Sequence, residues 1–149
     1  MMTMNRRQWT TRLAGAALAA AVVPRGAWGQ SQPRATRPSV VVQVSDADPA
    51  KWSLTLNNLR NLQAELGADA TDVELVVYGP GIGMLKADSP VGARVASALQ
   101  AGVKVSACQN TMQALKLTAT DMLPDIGYVP SGVGEIVRRQ QQGWSYLRP

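Results

Sequence analysis

The chain of 149 residues has room for one domain with a real core. It contains no His and a single Cys, Cys108. That excludes a Ser-His-Asp or Cys-His hydrolase within one chain, a conventional zinc site and an intrachain disulfide. The formal charge of +5 points towards nucleic acid only at first sight: four of the fifteen Lys and Arg precede Gln30 and all ten acidic residues follow it, leaving eleven against ten, a net +1, with no concentrated basic face for a polyanion.

Residues 1–29, "MMTMNRRQWTTRLAGAALAAAVVPRGAWG", have the order of a secretory signal. Arg6, Arg7 and Arg12 form a basic head. Leu13 to Val23 is an uncharged run of eleven residues, and Ala27 and Gly29 are small residues at a cut site. "NRRQW" resembles the twin-arginine export signal, with Asn5 in place of Ser/Thr and Trp9 in place of Phe. The alternative is an uncleaved anchor. Eleven residues fall short of the ~20 that cross a ~30 Å hydrocarbon core. The expectation is a periplasmic protein with no membrane contact after cleavage. Residues 30–39 are polar, carry two prolines and read as a linker.

The domain is expected over 40–149. "VVVQVS" (40–45) is a β-branched run suited to a strand covered on both faces. "DADP" (46–49) is turn chemistry. Trp52, Leu56, Leu59, Leu62 and Leu66 then mark a helical stripe, Leu54 suggests cover on a second side, and Gly67 is the stop. "DVELVVYG" (72–79) is the second strand, and "PGIGMLKAD" a Gly-rich loop. Residues 89–102 form a helix with Ser89 as N-cap, Pro90 at the first position and Gly102 beyond the end. "VKVSA" (103–107) is the third strand. "QNTMQALKLTATDML" (109–123) reads as one helix ended by Pro124. "IGYVPS" (126–131) is a short fourth strand. "GVGEIVRRQQQG" is a weaker helix with Val133, Ile136 and Val137 to bury and Arg138-Arg139 on a solvated face. "WSYL" (144–147) is a fifth strand or a docking tail.

Strands alternating with helices at this spacing imply a three-layer α/β/α fold with a mainly parallel sheet of about five strands. Ligands in such sheets bind outside the carboxyl ends of the strands. Four loops meet that edge: Ser45-Asp46, Gly79 to Gly83, Ala107-Cys108 and Pro130 to Gly132. "GPGIG" (79–83) either cradles an anion with backbone N–H groups or is a plain turn; it matches neither nucleotide-binding glycine pattern. Tyr78 and Tyr128 line the edge or pack.

Cys108 has two readings. Free Cys is among the most buried residue types, and packing accounts for many of them. At the start of a helix, however, N–H groups and the dipole stabilise a thiolate, the nucleophilic form. Two registers place it there: Ser106 as N-cap with Gln109 completing a capping box, or Asn110 as N-cap. Asn110 and Thr111 donate hydrogen bonds to the sulfur or cap the helix.

"VKVSACQNTMQALKL", "VELVVYGPGIGML" and "YVPSGVGEIVRRQQQGWSYLRP" together resemble the DsrE/DsrF-like family, in particular its exported small-chain branch. The resemblance covers nearly all of residues 40–149. It implies the same three-layer fold, assembly into trimers or hexamers, and in some members a cysteine that carries sulfur as a persulfide. Cys108 matches that cysteine by position. The expected function is sulfur binding or relay through Cys108, with Ser45, Gly79, Gly81, Asn110, Thr111 and Tyr128 around it, sulfur-donor and sulfur-acceptor proteins as partners, and no metal or cofactor. The alternative is a small-ligand-binding or structural oligomeric module with Cys108 as packing.

Overall fold

The computed structural model describes residues 37–149. The export segment and residues 30–36 of the expected linker lie outside the described residues. Five strands alternate with four helices: β1 (Ser39–Val44), α1 (Pro49–Leu66), β2 (Asp72–Val77), α2 (Gly92–Gln100), β3 (Lys104–Cys108), α3 (Gln109–Ala114), β4 (Gly127–Val129), α4 (Gly132–Gln141) and β5 (Ser145–Leu147). All strand pairs are parallel, in the order β4-β3-β2-β1-β5. The result is a three-layer α/β/α sandwich.

The handedness of crossovers explains the layering. The chain steps from β1 through β2 and β3 to β4 in one direction, and α1, α2 and α3 all pack on one face. It then returns across the sheet to β5, so a right-handed connection puts α4 on the opposite face. The main core lies on the three-helix face, where Val42, Leu75, Val77, Val105 and Ala107 meet Leu56, Leu59, Val95 and Met112. Each Val, Leu or Met among them contributes about 1.5–3 kcal/mol when fully buried. The α4 face is thinner, with Val41 and Val76 under Ile136 and with Tyr78 and Trp144 at its margin.

Several boundaries differ from the sequence expectation. α1 starts at Pro49, because Asp48 caps it by accepting from the Ala50 N–H at 2.9 Å. Gly67 ends it at φ 87°. Leu54 and Leu66 are exposed, so α1 has no second cover. The 79–85 loop is a 3₁₀ helix. α2 begins only at Gly92; Ser89 opens the preceding turn and accepts weakly from the Val91 N–H at 3.4 Å.

The expected long helix over 109–123 is the largest departure. α3 stops at Ala114. Lys116 takes the left-handed position at φ 56°, and the Leu117 N–H closes back on the Met112 carbonyl at 2.8 Å, a Schellman ending built without glycine. Thr118 and Asp121 then cap each other around a separate short turn. α4 departs in what it buries: Val133 and Val137 are 54% and 47% exposed, while Glu135 and Arg139 turn inward. Arg139 is therefore not on a solvated face. "WSYL" supplies β5, an edge strand beside β1.

Candidate functional site

A parallel sheet opens a crevice where neighbouring strands send their connections to opposite faces. Here that point lies between β3 and β4, since β3 leads to α3 on one face and β4 to α4 on the other. Cys108 ends β3 and pairs with Val129 at the end of β4. Ser131 and Gly132 follow at once. The lone thiol thus occupies the topological switch point.

The strand alternation aims it. Val105 and Ala107 face the three-helix core, so Lys104, Ser106 and Cys108 face α4. Neither expected cap register holds. Ser106 lies in the strand and gives its hydroxyl to Glu74 at 2.7 Å, and Asn110 is inside α3. The N-cap position belongs to Cys108 itself.

Four donors lie around the sulfur and lower its pKa: the Thr111 hydroxyl and the N–H groups of Gly132, Thr111 and Asn110. None of them makes a capping hydrogen bond to the sulfur; they favour its charged form. Burial pushes the Cys108 thiol up, and these donors outweigh it, so the pKa lies below its ordinary value of 9.0. The Asn110 N–H also bonds the Pro130 carbonyl at 3.2 Å, so it is a shared and weaker donor. Cys108 is buried, at 5% exposure.

Thr111 serves the thiol directly, and Gly79 reaches it only through Thr111. The Gly79 N–H donates to Thr111 Oγ1 at 2.9 Å. Gly81 and Ser45 form a neighbouring contact between β1 and the 3₁₀ helix. The Gly81 N–H bonds the Ser45 carbonyl at 3.1 Å, and a Cβ at Gly81 would sit 3.0 Å from Ser45 Cα. The Ser45 hydroxyl serves Gln43 at 3.2 Å. Tyr128 lies elsewhere. It pairs with Ala107, so its ring is on the opposite face from Cys108. There it lines a hollow of about 240 Å³ with Gln109, Met112, Leu117 and Thr118. Among the described residues no group of three His, Cys, Asp or Glu is placed to hold a metal ion, and no helix is long and apolar enough to cross a membrane.

Sequence reasoning missed Gly132 as a donor and Glu74 as the neighbour of Ser106. The cap residue Ser131 after a strand end was a signal for the first. A lone carboxylate inside the apolar run "DVELVV" was a signal for the second.

A family model described as the DsrE/DsrF-like family matches residues 39–149. Among solved structures, the protein of unknown function MTH1491 from Methanobacterium thermoautotrophicum is similar, with 38% identity and a TM-score of 0.72; the match covers 75% of this chain and 99% of that one. The conserved protein of unknown function BT1422 from Bacteroides thetaiotaomicron matches with 12% identity and a TM-score of 0.60, covering 78% of this chain and 99% of its own, a likeness of fold alone. No functionally curated protein matches the chain.

Proposed function

The chain belongs to the DsrE/DsrF-like family, and from that premise we propose that it carries sulfane sulfur as a persulfide on Cys108. The observation that supports this best is the convergence of the Thr111 hydroxyl and three backbone N–H groups on a thiol at the switch point of the sheet. The thiolate attacks the outer sulfur of a hydropolysulfide or of a donor persulfide. The S–S bond to that sulfur breaks, the donor leaves as a thiolate or shorter polysulfide, and Cys108 holds the sulfur as Cys–S–S⁻. An acceptor thiolate then takes the outer sulfur and restores the Cys108 thiolate. No external oxidant or reductant is needed. With one Cys in the chain, the acceptor is a separate molecule.

Export by the twin-arginine route and homo-oligomerisation belong to the same proposal. The first rests on residues 1–29. The second draws support from Val133, Val137 and Tyr146, which leave apolar surface exposed. Replacing Arg6 and Arg7 by Lys should retain the precursor in the cytoplasm, and sedimentation should give a trimer or hexamer.

A second reading draws on the burial of Cys108: the thiol is wall, and the module binds a small ligand or builds an oligomer. Intact mass after incubation with inorganic polysulfide separates the two. A gain of one sulfur atom, lost in Cys108→Ser, supports the relay. No gain, with alkylation only after denaturation, sinks it.

A further inference from the structure

α4 docks on the sheet with little apolar help. Of its side chains only Ile136 joins the buried cluster, while Val133 and Val137 point outward. One apolar knob holds a helix near a sheet and leaves it free to roll and slide. What α4 has instead is an ion pair at its far end. Glu74 stands in the middle of β2 with no exposed surface. Its carboxylate takes Arg139 Nε at 2.6 Å, Ser106 Oγ at 2.7 Å and Lys104 Nζ at 3.0 Å. Arg139 Nε is also 2.9 Å from Glu135 Oε1, and its guanidinium lies 4.4 Å from the Trp144 ring centroid.

An ion pair buried this deeply is poor value as a source of stability, since desolvation consumes most of its attraction; its better-attested use is to fix register. The register matters at the other end of the helix. Gly132 is seven residues before Arg139, about two turns or ~10 Å along a rigid rod. A Cβ at Gly132 would stand 2.9 Å from Tyr78 Cβ, so this turn is already in contact with the end of β2. The residue that precedes it, Ser131, caps α4 by accepting from the Gly134 N–H at 3.2 Å. That cap leaves the Gly132 N–H unused by the helix, beside the strand end that carries Cys108.

We propose that the Glu74–Arg139 pair is a positioning device for Cys108: it fixes α4 against the sheet and so holds the Gly132 N–H over the sulfur. Arg139 and Glu74 touch no reacting atom and act through the helix. The proposal rests on Cys108 as the working thiol, but its test does not require sulfur transfer.

Cys108 is the only thiol, so iodoacetamide labelling of the full chain against pH reads its ionisation alone. In Arg139→Gln and Glu74→Gln the labelling midpoint should rise by about 0.5–1 unit, equivalent to roughly threefold to tenfold slower labelling below the midpoint. Lys51→Ala, which breaks the surface pair with Asp46, should leave the midpoint in place. A purely structural pair would lower the melting temperature and leave the midpoint where it was. That result in folded Arg139→Gln overturns the proposal. Should Arg139→Gln fail to fold, Arg139→Lys keeps the charge with a shorter reach: a smaller rise supports the positioning role, and none overturns it. Failure of the parent chain to gain sulfur while the folded chain still labels would defeat the relay and leave this midpoint shift intact; a thiol that labels only after denaturation would overturn both. An unmoved midpoint with sulfur uptake retained would defeat the positioning role alone.

Discussion

The Thr111 hydroxyl accepts from the Gly79 N–H at 2.9 Å through one lone pair and keeps its own proton to serve the Cys108 sulfur. One hydroxyl thereby ties the end of β2 to the first turn of α3 and serves the thiolate between them. Thr111→Val keeps the shape and removes both bonds. It leaves the Gly79 N–H without its partner, so stability should fall by about 1–3 kcal/mol in urea unfolding. Labelling of Cys108 near neutral pH should slow by roughly threefold to tenfold, through a thiol pKa about 0.5–1 unit higher. Thr111→Ser should restore both. A Thr111→Val chain that labels at the parent rate would show that the hydroxyl does not serve the sulfur.

The same depressed ionisation has a consequence for stability. A thiol with a folded pKa below its unfolded value makes the unfolded chain bind more protons, so stability rises with pH between the two values. The contribution is fully present above the unfolded value, near 9.0, and is lost as pH falls through the folded one. The stability of the parent relative to Cys108→Ser should therefore grow as pH rises towards 9. Urea unfolding of both chains at pH 6, 7, 8 and 9 measures it. A flat difference, or one that shrinks with pH, contradicts a stabilised thiolate.

How far the sequence carries the reader depends on the range of each interaction. The β-branched runs at 40–44 and 72–77, the stripe of Trp52, Leu56 and Leu59, and the stops at Gly67 and Gly102 are local signals, and each marks a real element. Lys116 at φ 56° is a local event without a local signal, because the left-handed position usually selects Gly or Asn. That is why 109–123 reads as one helix and folds as a short helix and a separate turn. The site divides in the same way. Cys108 at the edge of the sheet follows from βαβ order alone. Its place at the switch point needs the strand order, and that depends on β5 returning to the far side of β1. The pairing of Glu74 with Arg139 spans 65 residues and has no short-range signature; two arginines on a polar helix look solvated until the carboxylate beneath them is known.

The two faces of the sheet allow stability and thiol chemistry to be separated. Leu59 of α1 is buried in the core on the face away from Cys108. Leu59→Ala removes a well-packed side chain and should cost about 2–5 kcal/mol. Its effect should stop at the sheet, leaving the Cys108 labelling midpoint unchanged at temperatures where the variant is folded. A midpoint that moved with Leu59→Ala would mean that the ionisation follows global stability rather than the donors on the α4 face.

Gly132→Ala tests the first turn of α4 from the opposite direction. Helix propensity favours Ala over Gly by about 1 kcal/mol, so an unconstrained helix start would gain from the change. Here the added Cβ would meet Tyr78 Cβ and Cδ1 at 2.9 Å. Tyr78 Cβ is fixed to the backbone and cannot swing aside, so the helix start must move. The expected result is a net loss of stability together with a rise in the labelling midpoint, since the displaced segment carries the Gly132 N–H. Gly81→Ala provides the comparison. Its Cβ would stand 2.9 Å from the Val44 carbonyl oxygen and 3.0 Å from Ser45 Cα, which should destabilise the junction of β1 and the 3₁₀ helix without reaching the sulfur. If both variants lose stability and only Gly132→Ala shifts Cys108, the N-terminus of α4 acts on the thiolate as a donor. If Gly132→Ala is stabilised with its midpoint unmoved, the contact with Tyr78 is looser than the packing requires, and the Gly132 N–H is not among the groups that hold the charge.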